Sequence, residues 1–278
     1  MPSRNLQEIV EYRGVEGLVA AEVLTDDNGT GGYTTGEVFA IAGVAEISKT
    51  TDAASESHYY DNLPAVVVMN NSSDELTINV SAIPFDVLAE ITGQHYDTAT
   101  GALIEGQRHP KYFALGYKTK KTNGDEVYVW RYKGTFNIPD QTNATEDDST
   151  DANGQELVYT GISTTHKFEK TGEGAKALNV DVAKNLADVD NFFETVKTPD
   201  SLEAKAQYTL TITAGGGSTI VVLRGSESLQ SGATIYKGDR LIVYMNYTSG
   251  SYDLTINGDT VTNPTDYTVS GDTLIVSA

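Results

Sequence analysis

Residues 75–82 read Glu-Leu-Thr-Ile-Asn-Val-Ser-Ala, and this stretch indicates the fold most clearly. Its apolar residues Leu76, Ile78 and Val80 alternate with polar ones, which is the period of a β-strand that buries one face and exposes the other to water. Further strands are predicted in three other places: Glu37–Ile47, Ala65–Met69 and Glu156–Thr165. The pattern favours a mainly β protein.

A β-hairpin is predicted in the middle of the chain. The strand-like runs Tyr112–Thr119 and Glu126–Phe136 are joined by a short connection around Asn123 and Gly124, two residue types that tolerate positive φ. Alternation along the second run places three aromatic side chains on one face: Tyr128, Trp130 and Tyr132. Such a face could stack on a sugar, but aromatic residues at this period are more often a packed sheet face.

Two segments have the spacing of a helix. In Pro84–Gly93 the proline suits a first turn and the glycine suits a left-handed C-terminal residue, so we predict a short helix laid on a sheet. In Val182–Val196 the apolar residues recur at steps of three and four, and Pro199 follows, which predicts a helix or a helical turn. Two polar stretches predict loops: a long one at Ser48–Leu63 and an acidic one at Asp140–Asn153.

The composition disfavours several classes of protein. With 39 acidic and 19 basic side chains, the 278-residue chain has a formal net charge of −20, which disfavours a binder of nucleic acid phosphates. Cysteine is absent, so neither a disulfide framework nor a thiolate metal site can form. The longest apolar stretch, Leu63–Met69, is far shorter than the roughly 20 residues of a membrane-spanning helix. We expect a soluble protein without a membrane partner.

The net charge and the sequence pattern of the chain change after Pro199. Residues 1–200 carry 15 basic and 32 acidic side chains, a net charge of −17, whereas residues 201–278 carry 4 and 7, a net charge of −3. In the second part, short strand-like runs alternate with turn signals about every 8 to 12 residues. We therefore predict two domains, 1–200 and 201–278, and the second is a small all-β module, sandwich-like or β-grasp-like.

No pattern of residues predicts a catalytic, cofactor or metal site. The chain has four histidines: His58, His95, His109 and His166. None of them lies one helical turn from another, so no pair has the spacing of two imidazoles on one metal. The acidic run 147–154 resembles a calcium loop, but its alignment puts Thr160 where the bidentate glutamate is required. We expect a protein that is not an enzyme.

Several blocks of the first part follow one another in a characteristic order. The most informative, Ala82–Gly93, reads Ala-Ile-Pro-Phe-Asp-Val-Leu-Ala-Glu-Ile-Thr-Gly. The others are Gly14–Ala20, Leu24–Asp26, Gly43–Ser48, Gly101–Glu105, Pro110–Tyr117 and Tyr128–Phe136. In order and spacing, these blocks are similar to the major tail proteins, or tail tube proteins, of long, non-contractile-tailed bacteriophages. The resemblance covers roughly residues 14–200.

This resemblance implies a structural virion protein. Its fold is expected to be a tail-tube β-sandwich or barrel with a short flanking helix, and its copies are expected to close into hexameric rings. The rings stack into the hollow tail tube, which is the conduit for DNA ejection. Residues 201–278 lie outside the family core and look like an appended Ig-like or bacterial-repeat module.

The resemblance also implies a location and partners. The protein is expected in the phage tail, after assembly in the host cytoplasm. Its partners are further copies of itself, the tape measure protein and the proteins at the tail ends, and DNA passes without specific binding. Contact with the host surface is a further expectation for the C-terminal module.

Charge and the polar loop suggest roles within such a tube. A basic lining would hold DNA by counterion release, whereas an acidic bore would let it slide, so we expect part of the charge to face the bore. The loop Ser48–Leu63 is our candidate for contacts between rings, with its tyrosines as anchors. The candidate residues are Thr50, Asp52, Glu56, His58, Tyr59, Tyr60 and Asp61. An ordinary surface loop explains the same stretch equally well.

Two other classes of protein stay open on the sequence. One is a bacterial cell-surface or adhesion protein built of β modules with a glycan-binding terminal module; it requires a secretion signal or wall anchor, and the sequence shows neither. The other is a hydrolase that uses scattered carboxylates, which a substrate panel would test. Electron microscopy separates the three classes, because only the tube subunit forms rings or tubes with a central hole.

Overall fold

The computed structural model describes residues 9–51, 55–60, 63–69, 73–143, 154–212, 219–246, 255–256, 259–260, 267–270 and 273–277. Within these ranges the protein is mainly β and has a single α-helix, as the alternating sequence pattern predicts. Its contacts define two compact units. The first comprises Met1–Lys184 and Val189–Leu202, and the second comprises Asn185–Asp188 and Glu203–Ala278.

The first unit contains one helix, α1 (Phe85–Thr92), and a series of strands. The strands are β1 (Tyr12–Asp26), β2 (Tyr33–Thr35), β3 (Phe39–Ala40), β4 (Val44–Thr51), β5 (Ser55–Tyr60), β6 (Leu63–Met69), β7 (Asp74–Val80), β8 (His95–Asp97), β9 (Ala102–Ile104), β10 (Phe113–Lys121), β11 (Glu126–Phe136), β12 (Asp140–Gln141), β13 (Gln155–Ile162) and β14 (Ala177–Asp181).

Most of these strands form one open, 10-stranded sheet. Its order is β2-β1-β10-β11-β13-β7-β4, with β3 added to β1, β12 to β13 and β14 to β11. The sheet divides at the middle of β11, because Val127–Arg131 pairs with β14 whereas Lys133–Phe136 pairs with β13. Leu76 and Ile78 from β7 share one buried cluster with Leu115 from β10. The sheet therefore folds into two layers around one core, as in a β-sandwich, and does not close into a barrel.

The predicted helix and hairpin are both confirmed. Helix α1 follows Pro84 and ends at Gly93, which has a φ of 69°. Arg108 holds the end of this helix against the sheet, because its Nε donates to the carbonyl of Thr92 at 2.9 Å and its Nη2 donates to that of Phe136 at 2.8 Å. Strands β10 and β11 pair in antiparallel fashion across the turn that contains Gly124. Helix α1 thus covers the end of the core at which β11 finishes.

The prediction of one long loop at Ser48–Leu63 is wrong. Strand β4 continues to Thr51, which pairs with Asp74 of β7, and β5 pairs with β6 as a separate two-stranded ribbon. Residues 48–51 are exposed although they lie in a strand. Polar side chains cost little at such positions, so composition alone does not distinguish an exposed strand from a loop.

Two other predictions need correction. In Val182–Val196, where a helix or a helical turn is predicted, the structure has a 3-10 turn at Val182–Lys184 and no α-helix. The positive φ angles of Asn185 and Asn191, 52° and 55°, interrupt a regular helix. The predicted acidic loop begins with two strand residues, Asp140 and Gln141 of β12, and its residues 144–153 lie outside the described part of the chain.

The second unit is built from short strands around a small core. They are β15 (Gln207–Thr209), β16 (Thr219–Arg224), β17 (Glu227–Leu229), β18 (Thr234–Tyr236), β19 (Arg240–Asn246), β20 (Thr255–Ile256), β21 (Asp259–Thr260), β22 (Tyr267–Ser270) and β23 (Thr273–Ser277). Five of them form a sheet in the order β17-β16-β19-β23-β22. Val222, Leu229, Ile235, Leu241 and Val243 form its buried cluster. The triple glycine at 215–217 lies outside the described residues.

Candidate functional site

An acidic row crosses the outward face of β12, β13, β7 and β4. Asp140 pairs with Glu156, Glu156 pairs with Asn79, and Asn79 pairs with Glu46. Directly paired residues of an antiparallel sheet lie on the same face. This face points away from the core, since Leu76, Ile78 and Val80 of β7 occupy the alternate, buried positions.

Two neighbouring rows extend this face without adding a cation. One joins Thr160, Glu75 and Thr50, and the other joins Val158, Thr77 and Ser48. Every charged residue in the three rows is therefore acidic. We call the outward face that these rows form the acidic face.

Three cations of the first unit instead lie near one buried carboxylate, that of Asp74. Arg131 donates from Nη1 to Oδ2 of Asp74 at 2.8 Å, and the two side chains are 6% and 7% exposed. The Nζ atoms of Lys49 and Lys176 lie 3.6 Å and 3.5 Å from the same carboxylate. Burial raises the pKa of Asp74, but the Arg131 hydrogen bond and the nearby cations more than offset burial and leave this pKa below its usual value.

The outward face of β1, β10 and β11 has a different charge pattern. Glu16 lies between Lys118 and Lys120, with Nζ to Oε1 distances of 2.7 Å and 3.0 Å, and Lys120 also approaches Glu126 at 3.4 Å. Hydrogen bonds from the two lysines lower the pKa of Glu16. Both signs of charge alternate here, whereas every charged residue in the three rows of the acidic face is acidic.

The aromatic side chains of β11 are packed rather than available to a ligand. Trp130 and Tyr132 are fully buried. The indole Nε1 of Trp130 donates to the carbonyl of Phe192 at 3.0 Å, and the ring of Tyr132 lies 5.3 Å from that of Phe168. The packed sheet face is therefore confirmed, and the sugar-stacking interpretation of this face is wrong.

The sheet ends at β4 with an unpaired edge. Among the described strands, none forms a ladder with the side of β4 that faces away from β7. Strands β1 and β4 face each other across this gap, and just before β4 begins the nitrogen of Ile41 donates to the carbonyl of Leu18 in β1 at 3.1 Å. Farther along, they diverge around a cleft of about 630 Å³. An unpaired edge can pair with a strand of another chain.

Five of the seven predicted inter-ring residues fall on β4 or on the β5–β6 ribbon. Thr50 lies on β4 and belongs to the acidic face. Four others lie on β5, namely Glu56, His58, Tyr59 and Tyr60, and they pair with Val68, Val66, Pro64 and Leu63 of β6. Asp52 and Asp61 lie outside the described residues. The ribbon thus brings most of these candidates together, and their role in ring contacts stays a prediction.

His166 has a structural environment. The ring of His166 lies 5.1 Å from that of Phe168, and its Nδ1 is 3.0 Å from the carbonyl oxygen of Asp27. In the part of the chain that the structure describes, no three His, Asp or Glu side chains are arranged to hold a metal ion. In that same part, no helix has the length and apolarity needed to span a membrane.

Asp26 holds two segments of the first unit together. Its carboxylate accepts hydrogen bonds from Nζ of Lys133 at 2.6 Å, from the nitrogen of Thr165 at 2.9 Å and from that of His166 at 2.8 Å. Burial raises the pKa of Asp26, but these hydrogen bonds lower it by a larger amount, so the pKa lies below the ordinary value. The sequence pattern does not predict this clamp, because its contacts join residues far apart in the chain.

The fold and these surfaces define the chain as a β-sandwich protein with an acidic sheet face and an unpaired sheet edge. Residues 17–196 match the family model described as phage tail tube protein, which is more than half of the chain. The chain belongs to the phage tail tube protein family. It is therefore a structural component of the virion tail, and the family indicates self-assembly into a tube. A search of curated proteins finds no match.

Proposed function

We propose that this protein closes into hexameric rings that stack into the tail tube, and that the tube conducts DNA during ejection. The observation that carries the proposal is that the acidic face ends at the unpaired edge of β4. A single sheet of this subunit thereby supplies both a lining without cations and an edge that can join the next copy.

The β4 edge provides a route to a closed ring. A head-to-tail interface generates a ring when its rotation closes. If each copy offers its β4 edge to the next, the acidic faces of all copies lie side by side and form one continuous wall. Pairing between copies also removes the exposed edge, which would otherwise favour aggregation.

The acidic face suits the inner surface of that wall. Duplex DNA carries about one negative charge per 1.7 Å of its axis, and proteins that hold it release counterions through lysine and arginine contacts. A wall with Glu46, Glu75 and Glu156 and without such cations offers DNA no contacts of this kind. The genome can then slide through the tube without being held.

The β5–β6 ribbon is the candidate for contacts between stacked rings. To test this role, residues 55–69 are replaced with a short glycine-serine linker. A deletion that began at residue 50 would also remove the end of β4. We expect a folded subunit that forms rings but does not elongate. Tubes of normal length would contradict this role.

The second unit is proposed to be an Ig-like or bacterial-repeat module on the outside of the tube. A module directed inward would block the channel, and an outward module is placed to contact the host surface. Ending the chain at Asp200 should leave tube assembly intact, and failure to assemble would contradict the placement. The tape measure and tail-end proteins are the other proposed partners, and assembly is proposed to occur in the host cytoplasm.

Negative-stain electron microscopy of the purified full chain, over a range of concentrations, tests the proposed function. The proposal predicts rings or tubes with a central hole. Discrete monomers at every concentration would contradict it.

A further inference from the structure

The cleft between β1 and β4 is open, and both apolar and polar residues line it. It lies at the end of the first unit opposite α1, because its lining residues Val127 and Val129 begin β11, whereas α1 is tied to Phe136 at the other end of that strand. Val15 of β1 and Ile47 of β4 contribute to its walls. The cleft thus exposes apolar surface at a gap in the sheet.

Strands β1 and β4 form the two rims of this cleft, and the pairing register of β4 is more regular than that of β1. Strand β1 has register irregularities next to Gly14 and Gly17, whose φ angles are 92° and 70°. Strand β4 pairs regularly with β7 from Glu46 to Thr51, so its other edge presents evenly spaced backbone groups. An extended segment can therefore add to β4 by main-chain hydrogen bonds, which is a common way for sheets to bind peptides.

Arg131 supplies an independent indication that the cleft accepts a segment. Its side chain is 6% exposed and lines the cleft. Nη1 donates to Asp74, but Nε has no hydrogen-bond partner in the described part of the protein. A buried donor without an acceptor is unfavourable, and a backbone carbonyl of an inserted segment is a suitable acceptor.

The chain itself offers an apolar segment beside the cleft. Ile9 is 86% exposed and Val10 is 39% exposed, next to Tyr12 on the rim. Thr122 fixes the direction of this segment, because its nitrogen donates to the carbonyl of Glu11 at 2.8 Å and its Oγ1 accepts from the nitrogen of Glu11 at 3.2 Å. Neither Ile9 nor Val10 lines the cleft of its own copy.

We propose that Ile9 and Val10 of one copy insert as an extended segment into the β1–β4 cleft of the adjacent copy in the same ring. The inference rests on the proposed ring. Segment and cleft lie at the same end of the subunit, and we take this end to face along the tube axis, so that in a stack of identically oriented rings it meets the opposite end of the next ring. The acceptor is therefore a lateral neighbour, and repetition of the contact around the ring closes it.

Engineered cysteines test this contact without background, because the natural chain has no cysteine. Ile9→Cys is combined with Ala45→Cys, since Ala45 is an exposed residue of the cleft rim. The control pairs Ile9→Cys with Thr100→Cys, an exposed position in the turn between β8 and β9, close to α1. Both pairs are oxidised in assembled protein and analysed by denaturing, non-reducing electrophoresis.

The proposal predicts a ladder of disulfide-linked species for the first pair that ends at the copy number of one ring, and unlinked chains for the control. A linked monomer means insertion within one chain, and a ladder that ends at the dimer means reciprocal exchange; either overturns the proposal. Rings or tubes in electron micrographs without any ladder overturn it too, while the proposed function stands. Absence of rings overturns both.

Discussion

Glu156 lies directly opposite Asp140 where β13 pairs with β12, and both side chains are exposed. Like charges in such a cross-strand pair repel each other. The next residues of the row, Asn79 and Glu46, provide no cation to offset the repulsion. The isolated subunit thus tolerates an unfavourable contact on the face that we propose lines the bore.

Glu156→Gln should stabilise the isolated subunit. The substitution removes the repulsion and retains the shape of the side chain, so we expect the free energy of unfolding to rise by about 0.2–1 kcal/mol in urea denaturation. Glu75→Gln is the matched control, because Glu75 is opposed only by Thr50 and Thr160. Equal effects of the two substitutions would argue against repulsion at Glu156.

Charge reversal on the acidic face should make the tube hold DNA. Tubes that carry Glu46→Lys, Glu75→Lys and Glu156→Lys together are expected to retain short duplex DNA at low salt and to release it as salt rises, because lysines replace counterions. Natural tubes should retain none, as measured by co-sedimentation. If the variant assembles normally and still retains no DNA, the acidic face does not line the bore.

Much of this fold is predictable from the sequence, but the acidic face is not. The alternation in 75–82 and the glycine after α1 report local backbone geometry, so β7 and the helix are predicted well. The row from Asp140 to Glu46 depends on the register of four strands that are distant in the chain. Neither the periodicity of one strand nor its composition specifies that register.

The predictions for Ser48–Leu63 and Val182–Val196 also fail because the local sequence does not specify the tertiary contacts of these segments. Strand β4 is exposed and polar at its end, so its side chains carry no signal of burial, and Val182–Val196 has helical spacing although its apolar residues pack irregularly. Phe193, for example, packs against Tyr128 and Trp130 of β11. Tertiary packing decided the local structure there.

Asp26→Asn should reduce the sensitivity of the subunit to acid. The pKa of Asp26 is depressed in the folded state, so its carboxylate contributes stability above the unfolded pKa of about 3.9. This contribution is lost as the pH falls through the lower, folded pKa. The variant should be less stable at neutral pH and should lose less stability on acidification.

The measurement is the free energy of unfolding as a function of pH, from about pH 7 to about pH 2. Asp86→Asn, an exposed change in the first turn of α1, serves as the control. Parallel pH profiles for the natural protein and Asp26→Asn would show that the clamp does not contribute to acid sensitivity.

Arg131→Met should destabilise the first unit strongly. The substitution leaves the buried carboxylate of Asp74 without its 2.8 Å partner, and breaking a buried pair in this way costs about 3–5 kcal/mol. Lys118→Met breaks a more exposed pair with Glu16 and should cost at most about 1 kcal/mol. If the two substitutions lower the free energy of unfolding equally in chemical denaturation, the buried pair contributes no more stability than the exposed pair.

A cryo-electron microscopy map of the assembled tube tests the central claim most directly. Our account predicts that copies join edge to edge through β4 and that Glu46, Glu75 and Glu156 line an anionic channel, with residues 201–278 outside. A channel lined by lysines and arginines, or an acidic face on the outer surface, would contradict it.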